Sequence, residues 1–101
     1  MEGITVRTLP EFDAWLHALR DPKTKARLLV RLRKATLGNP GDVKSVGGGI
    51  YEMREHFGSG WRMYYVQRGT ALIVLLAGGS KRTQLRDIAN AKRLAALLDD
   101  D

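Results

Sequence analysis

The sequence predicts an α+β fold with the order β-α-α-β-β-β-α, and three observations carry that prediction. Residues 10–37 hold two stretches of helical periodicity joined at Asp21-Pro22. Residues 50–77 hold three strand-like runs separated by glycine-containing turns. Residues 83–98 return to helical periodicity. The chain has 101 residues, which suits a single domain, 1–101, around one modest core.

Each element has a local cause. Residues 4–9 alternate weakly and read as a first strand. Pro10 opens a short helix in which Phe12, Trp15, Leu16 and Leu19 recur at helical spacing. Asp21 as N-cap and Pro22 at the first helical position start a second helix. It stops near Leu37, at the breaker cluster Gly38-Asn39-Pro40-Gly41. So short a link between the two points to an antiparallel helical hairpin. Leu29, Leu32 and Thr36, with Ala26 or Leu28, can face the core. Residues 42–49 read as irregular. Residues 50–57 and 61–67 alternate as strands, and residues 71–77, ALIVLLA, are apolar throughout, as in a strand buried on both faces. In the last helix Leu85, Ile88, Ala91, Leu94, Ala95 and Leu98 form the apolar side.

Composition narrows the function classes. Seventeen Lys and Arg against eleven Asp and Glu give a formal charge of +6, and three of the acids are the terminal run Asp99, Asp100 and Asp101. So basic a chain favours a polyanionic partner. There is no cysteine, which excludes disulfides and thiolate metal sites. Two histidines, His17 and His56, make a metal site of usual type improbable, so neither metal nor cofactor is expected. No apolar run approaches the roughly 20 residues that span a bilayer, and the first residues lack the layout of a secretory signal. A cytoplasmic protein without a membrane partner is the expectation.

The stretch YEMREHFGSGWRMYY gathers the chemistry. With 58–60 as a three-residue loop, Phe57 faces Trp61, His56 faces Arg62, Arg54 faces Tyr64 and Glu52 faces Val66. Tyr51, Met53, Phe57, Trp61, Met63 and Tyr65 then share one face, which packs on helices. The polar, cationic face is left for solvent or a ligand. The third strand returns Lys81 and Arg82 to the same rim. Neighbouring arginines repel unless an anion lies between them, which points to phosphate. Cleavage of RNA by its own 2′-hydroxyl needs a proton acceptor, charge stabilisation at phosphorus and a proton donor. Arg54 and Arg62 suit the middle task, His56 suits proton transfer, and Lys81 and Tyr64 complete the candidate set. Glu52 is an outside candidate for base. An exposed strand also carries arginines for solubility alone, so a solvated face stays open as the alternative.

The second helix carries Lys23, Arg27, Arg31 and Lys34 on one side, with Lys25 and Arg33 flanking. This stripe, with Arg82 and Gln84, is the expected RNA-binding surface, and a solvated helix face is its alternative. Gly78-Gly79 lets backbone amides approach a phosphate.

The segments GNPGDVKSVGGGIYEMRE, GWRMYY and IVLLAGGSKRTQLRDIANAKRLA, in that order, resemble the RelE/ParE toxin superfamily, and within it the HigB-like addiction module killer proteins. The resemblance covers nearly the whole chain. It implies a twisted antiparallel sheet packed against helices and a type II toxin encoded beside an antitoxin partner. It implies metal-independent cleavage of mRNA, usually on the ribosome, with Arg54, Arg62 and Lys81 or Arg82 at the basic positions of the motif. The ParE relatives instead inhibit DNA gyrase, and a non-catalytic RNA-binding module is a further alternative. Two positions depart from the pattern. Glu52 stands where the relatives carry a basic residue, and the last helix has no tyrosine or histidine.

Overall fold

The computed structural model describes residues 3–99, so Asp100 and Asp101 of the acidic run lie outside it. Five strands form one sheet: β1 (Thr5–Thr8), β2 (Val43–Gly47), β3 (Ile50–Arg54), β4 (Trp61–Arg68) and β5 (Leu72–Ser80). Helices α1 (Pro10–Ala18) and α2 (Pro22–Thr36) follow β1, and α3 (Gln84–Asp99) follows β5 after a 3-10 turn, Lys81–Thr83. The spatial order is β1-β5-β4-β3-β2. The sheet is mixed rather than wholly antiparallel, because β1 runs parallel to β5.

Asp21 caps α2 as its residue type demands: its carboxylate accepts from the Lys23 amide at 3.1 Å and from the Thr24 hydroxyl at 2.9 Å. α1 lies against β5 and α2 against β1, and they meet through the core around Phe12. The buried stripe of α2 is Thr24, Leu28, Arg31, Leu32 and Ala35, whereas Leu29 is half exposed. The helix is thus rotated from the expected core face, and Arg31 is turned inward.

The sheet is covered on both sides. Phe12, Leu28, Leu32, Met53, Met63, Tyr65, Ile73 and Leu75 form the core beneath α1 and α2. Ile50, Tyr64, Val66, Val74, Leu76, Ala91, Leu94 and Ala95 form the core beneath α3. β5 therefore contributes to both, as its unbroken apolar run requires. Leu85 alone of the expected α3 stripe is left in solvent, 87% exposed.

Two corrections follow from the ladder. Residues 43–47, read as irregular, form edge strand β2 against β3. A bulge between Ser45 and Gly47 breaks the alternation, and Val43 packs on the α1–α2 side while Val46 packs beneath α3. The β3–β4 register is also two residues from the expected one: Arg54 faces Arg62, Met53 faces Met63 and Glu52 faces Tyr64. A shift of two preserves every side chain's face, so the hydrophobic pattern could not exclude it.

Candidate active site at the hairpin mouth

The longer hairpin loop is held open by Arg62. Its Nη1 donates to the carbonyl of Glu55 at 3.0 Å and to that of Trp61 at 3.1 Å. The Glu55 amide closes the loop onto the Trp61 carbonyl at 2.9 Å. Arg62 Nε lies 3.8 Å from Glu52 Oε1, close enough for an ion pair and too far for a hydrogen bond. Arg62 is only 6% exposed and Glu52 is fully buried.

The polar face of the hairpin is therefore not left for solvent or ligand. α3 lies over it, and Gln84 Nε2 donates to Glu52 Oε2 at 2.7 Å. Tyr64 sits beside this carboxylate, fully buried. Burial is the main cause that pushes its hydroxyl well above the usual range, and the Glu52 charge adds to it. Tyr64 is thus neutral at ordinary pH and has no open path to a substrate. The helix fits closely here. A Cβ on Gly79 would overlap the Asp87 carboxylate, which Thr83 Oγ1 holds at 2.5 Å.

What stays open is the rim. Arg54, at the end of β3, donates from Nη2 to Asp42 Oδ1 at 2.9 Å. His56, 69% exposed in the loop, places Nε2 2.8 Å from Asp42 Oδ2. One carboxylate thus joins a guanidinium and an imidazole at the hairpin mouth. Lys81 is stitched to the same loop: its amide donates to the Gly60 carbonyl at 2.8 Å. Lys81 Cβ and Arg62 Nη1 both border Gly60, where an added Cβ would lie 3.2 and 3.7 Å from them. The sequence-predicted residues around the hairpin therefore divide into three groups: Arg54 with His56, Arg62 with Lys81, and Tyr64 beneath α3 with Gln84 at the start of that helix.

Sequence reasoning missed Asp42. It follows the Pro40-Gly41 turn, and although it lies within the segment GNPGDVKSVGGGIYEMRE, nothing local marks it as the partner of Arg54 and His56. Its place is fixed by Arg31, whose Nε donates to the Pro40 carbonyl at 2.7 Å, Nη2 to that of Asp42 at 2.7 Å, and Nη1 to that of Arg54 at 2.9 Å. Arg31 Nη1 also lies 3.3 Å from Glu55 Oε2. Gly41, with φ of +76°, allows this approach, because a Cβ there would lie 2.9 Å from Arg31 Nε. Arg31 is consequently absent from the exposed cationic face of α2, where Lys23, Arg27 and Lys34 remain. The Arg27 guanidinium lies 3.8 Å over the Phe57 ring. Ala26 and Val30 line a cleft of about 280 Å³ between Arg27 and Lys34, so this face is apolar as well as basic.

Residues 14–96 match the family model described as phage derived protein Gp49-like. This chain belongs to the Gp49-like family. An uncharacterized protein of Haemophilus influenzae is 42% identical over 92 residues, covering 91% of this chain and 93% of that protein. Among solved structures, a chain of the toxin-antitoxin complex RelBE2 from Mycobacterium tuberculosis superposes with a TM-score of 0.61 at 19% identity, covering 78% of this chain and 99% of that one. At that identity the likeness establishes the RelE fold. No helix among the described residues is long and apolar enough to cross a membrane.

The rim of this Gp49-like chain has a pH signature. Hydrogen bonds from Arg54 first and His56 second lower the Asp42 pKa from 3.8 to about 2. A carboxylate depressed by folding contributes stability above its unfolded pKa and loses it as pH falls through the folded value. Thermal unfolding of the native chain and Asp42→Asn should therefore differ most above pH 4 and converge between about pH 4 and 2. A gap that stayed constant across that range would show that the carboxylate is not held.

Proposed function

We propose that this chain is the toxin of a type II toxin-antitoxin pair, acting in the cytoplasm as a metal-independent endoribonuclease on mRNA at the ribosome. The observation that carries the reading is the Asp42 carboxylate shared by Arg54 and His56 at 2.9 and 2.8 Å. A carboxylate on one ring nitrogen orients an imidazole and leaves the other nitrogen for a substrate. In this reading His56 Nδ1 takes the proton of the RNA 2′-hydroxyl. The 2′-oxygen attacks the adjacent phosphorus, and the bond to the 5′-oxygen breaks. Arg54 stabilises charge on the phosphoryl oxygens, and Lys81 gives the departing oxygen its proton. The products are a 2′,3′-cyclic phosphate and a 5′-hydroxyl. Arg62 and Tyr64 support the loop and the helix instead of touching RNA, and Arg82 adds backbone contacts.

The cognate antitoxin is the proposed protein partner. The Ala26–Val30 cleft, bordered by Arg27 and Lys34 and by a Glu55 carboxylate paired with Arg31, suits an acidic amphipathic segment better than RNA, which gains nothing from apolar contacts there. The RelE fold and the net charge of +6 support the reading as a whole. Induced expression should arrest growth and fragment transcripts, with 5′-hydroxyl ends and unaffected gyrase supercoiling. Intact transcripts with blocked supercoiling would instead make the chain a gyrase poison. RNA binding without cleavage, even on ribosomes, would make it a binding module.

A further inference from the structure

Both tryptophans of the chain line a single cleft of about 330 Å³ at the end of β5. Gly78 and Gly79 form its wall, and Arg82 and Arg86 stand over it. The volume falls within the roughly 300–1,000 Å³ of small-ligand pockets. Its construction is specific. Gly78 has no side chain, and a Cβ there would collide with the six-membered ring of Trp15, so the indole lies directly on the strand. Trp61 meets Trp15 edge to face, with ring centroids 6.3 Å apart. Trp61 Nε1 is buried and has no hydrogen-bond partner. β1 ends at Thr8 opposite Leu75, so β5 beyond that point has no strand on its outer side. The cleft occupies this uncovered edge.

Its charges face outward. Arg82 and Arg86 are exposed, and Arg82 has no ion-pair partner among the described residues. The one carboxylate in the wall, Asp87, is held by Thr83 and lies 3.8 Å from Arg86 Nε. Two guanidinium groups thus outweigh one partly neutralised acid. A second cleft of about 420 Å³, lined by Lys81, Arg82, Gln84 and Arg86, continues the same cationic surface. Aromatic rings under a cationic rim suit a single-stranded nucleic acid: a base stacks on the ring, and the phosphates lie along the arginines. An acidic peptide would satisfy the arginines but would leave the two indoles without a planar partner.

We propose that the Trp15–Trp61 cleft is a nucleotide subsite, in which an unpaired RNA base stacks on indole while Arg82 and Arg86 hold its phosphates. It rests on the RNA reading above and assigns where a nucleotide neighbouring the cleaved link is held. The two tryptophans are also the reporter. A hexa-adenylate titrated into the full chain should quench the intrinsic fluorescence, and the Arg82→Ala/Arg86→Ala double variant should bind about ten-fold or more weakly. The salt slope of log K should fall by about 1.4 in that variant, the value for two lost contacts to a single strand. An abasic ribose-phosphate hexamer should bind more weakly and leave the fluorescence unchanged.

Several results would overturn the proposal. One is saturation binding, read by anisotropy, with no quenching. Others are a double variant that binds like the native chain, or an abasic hexamer that matches the adenylate. Quenching by a polyglutamate peptide that displaces the adenylate would assign the cleft to a protein. The two readings fail separately. A chain that cleaves no RNA yet is quenched by the adenylate keeps the subsite and loses the nuclease. A double variant that cleaves with unchanged KM keeps the nuclease and loses the subsite.

Discussion

Replacing Arg31 with alanine should lower the thermal stability of the protein more than any other single change considered. The guanidinium is buried and gives Nε, Nη1 and Nη2 to three backbone carbonyls, those of Pro40, Arg54 and Asp42. It also faces the half-buried Glu55 carboxylate at 3.3 Å. Removing one member of such a buried set costs about 3–5 kcal/mol, because the acceptors left behind stay desolvated. A domain of this size has about 5–15 kcal/mol in all. The thermal midpoint should fall by roughly 15–30 °C, read by circular dichroism. Arg31→Lys should rescue little, since an ammonium cannot reproduce a planar fork that reaches three carbonyls. A midpoint within a few degrees of the native value would refute the bracing role. The effect should also reach the rim, because the braced loop carries Asp42.

The second large effect concerns chemistry rather than folding. His56 is exposed, has a side-chain polar contact with Asp42, and lies outside both cores. His56→Gln should leave the unfolding midpoint nearly unchanged. A general acid or base contributes about 10²- to 10⁴-fold, so the cleavage rate should drop by that factor. Asp42→Asn should slow cleavage less, because Asp42 positions the His56 ring and the Arg54 guanidinium without itself moving a proton.

The parts of the fold that could be read from the sequence are those with a local cause. Asp21-Pro22 fixes a helix start whatever surrounds it, and ALIVLLA implies burial on both faces. What could not be read depends on distant partners. β2 has only two large apolar residues, Val43 and Val46, three apart and so on opposite sides, which leaves no apolar alternation to mark a strand. The β3–β4 slip of two residues leaves every side chain on its face. Glu52, Arg62 and Tyr64 read as a solvent-facing set because nothing local shows that Gln84 and α3 will cover them. Arg31 belongs to two patterns at once. It lies at the spacing Thr24, Leu28, Arg31, Ala35, which is the buried stripe, as well as in the cationic one. The candidate site is partly illegible for the same reason: Arg54 and His56 stand out in the sequence as a basic pair, but Asp42, which joins them, does not.

The central claim is that reaction takes place on the exposed Asp42–Arg54–His56 rim and not on the buried polar set beneath α3. Single-turnover cleavage of ribosome-bound mRNA by purified His56→Gln and Tyr64→Phe variants tests it most directly, with the unfolding midpoint of each measured alongside. The expected outcome is a loss of about 10²-fold or more for His56→Gln and near-native cleavage for Tyr64→Phe. Undiminished cleavage by His56→Gln together with its loss in a folded Tyr64→Phe would contradict the account and place the chemistry under the helix.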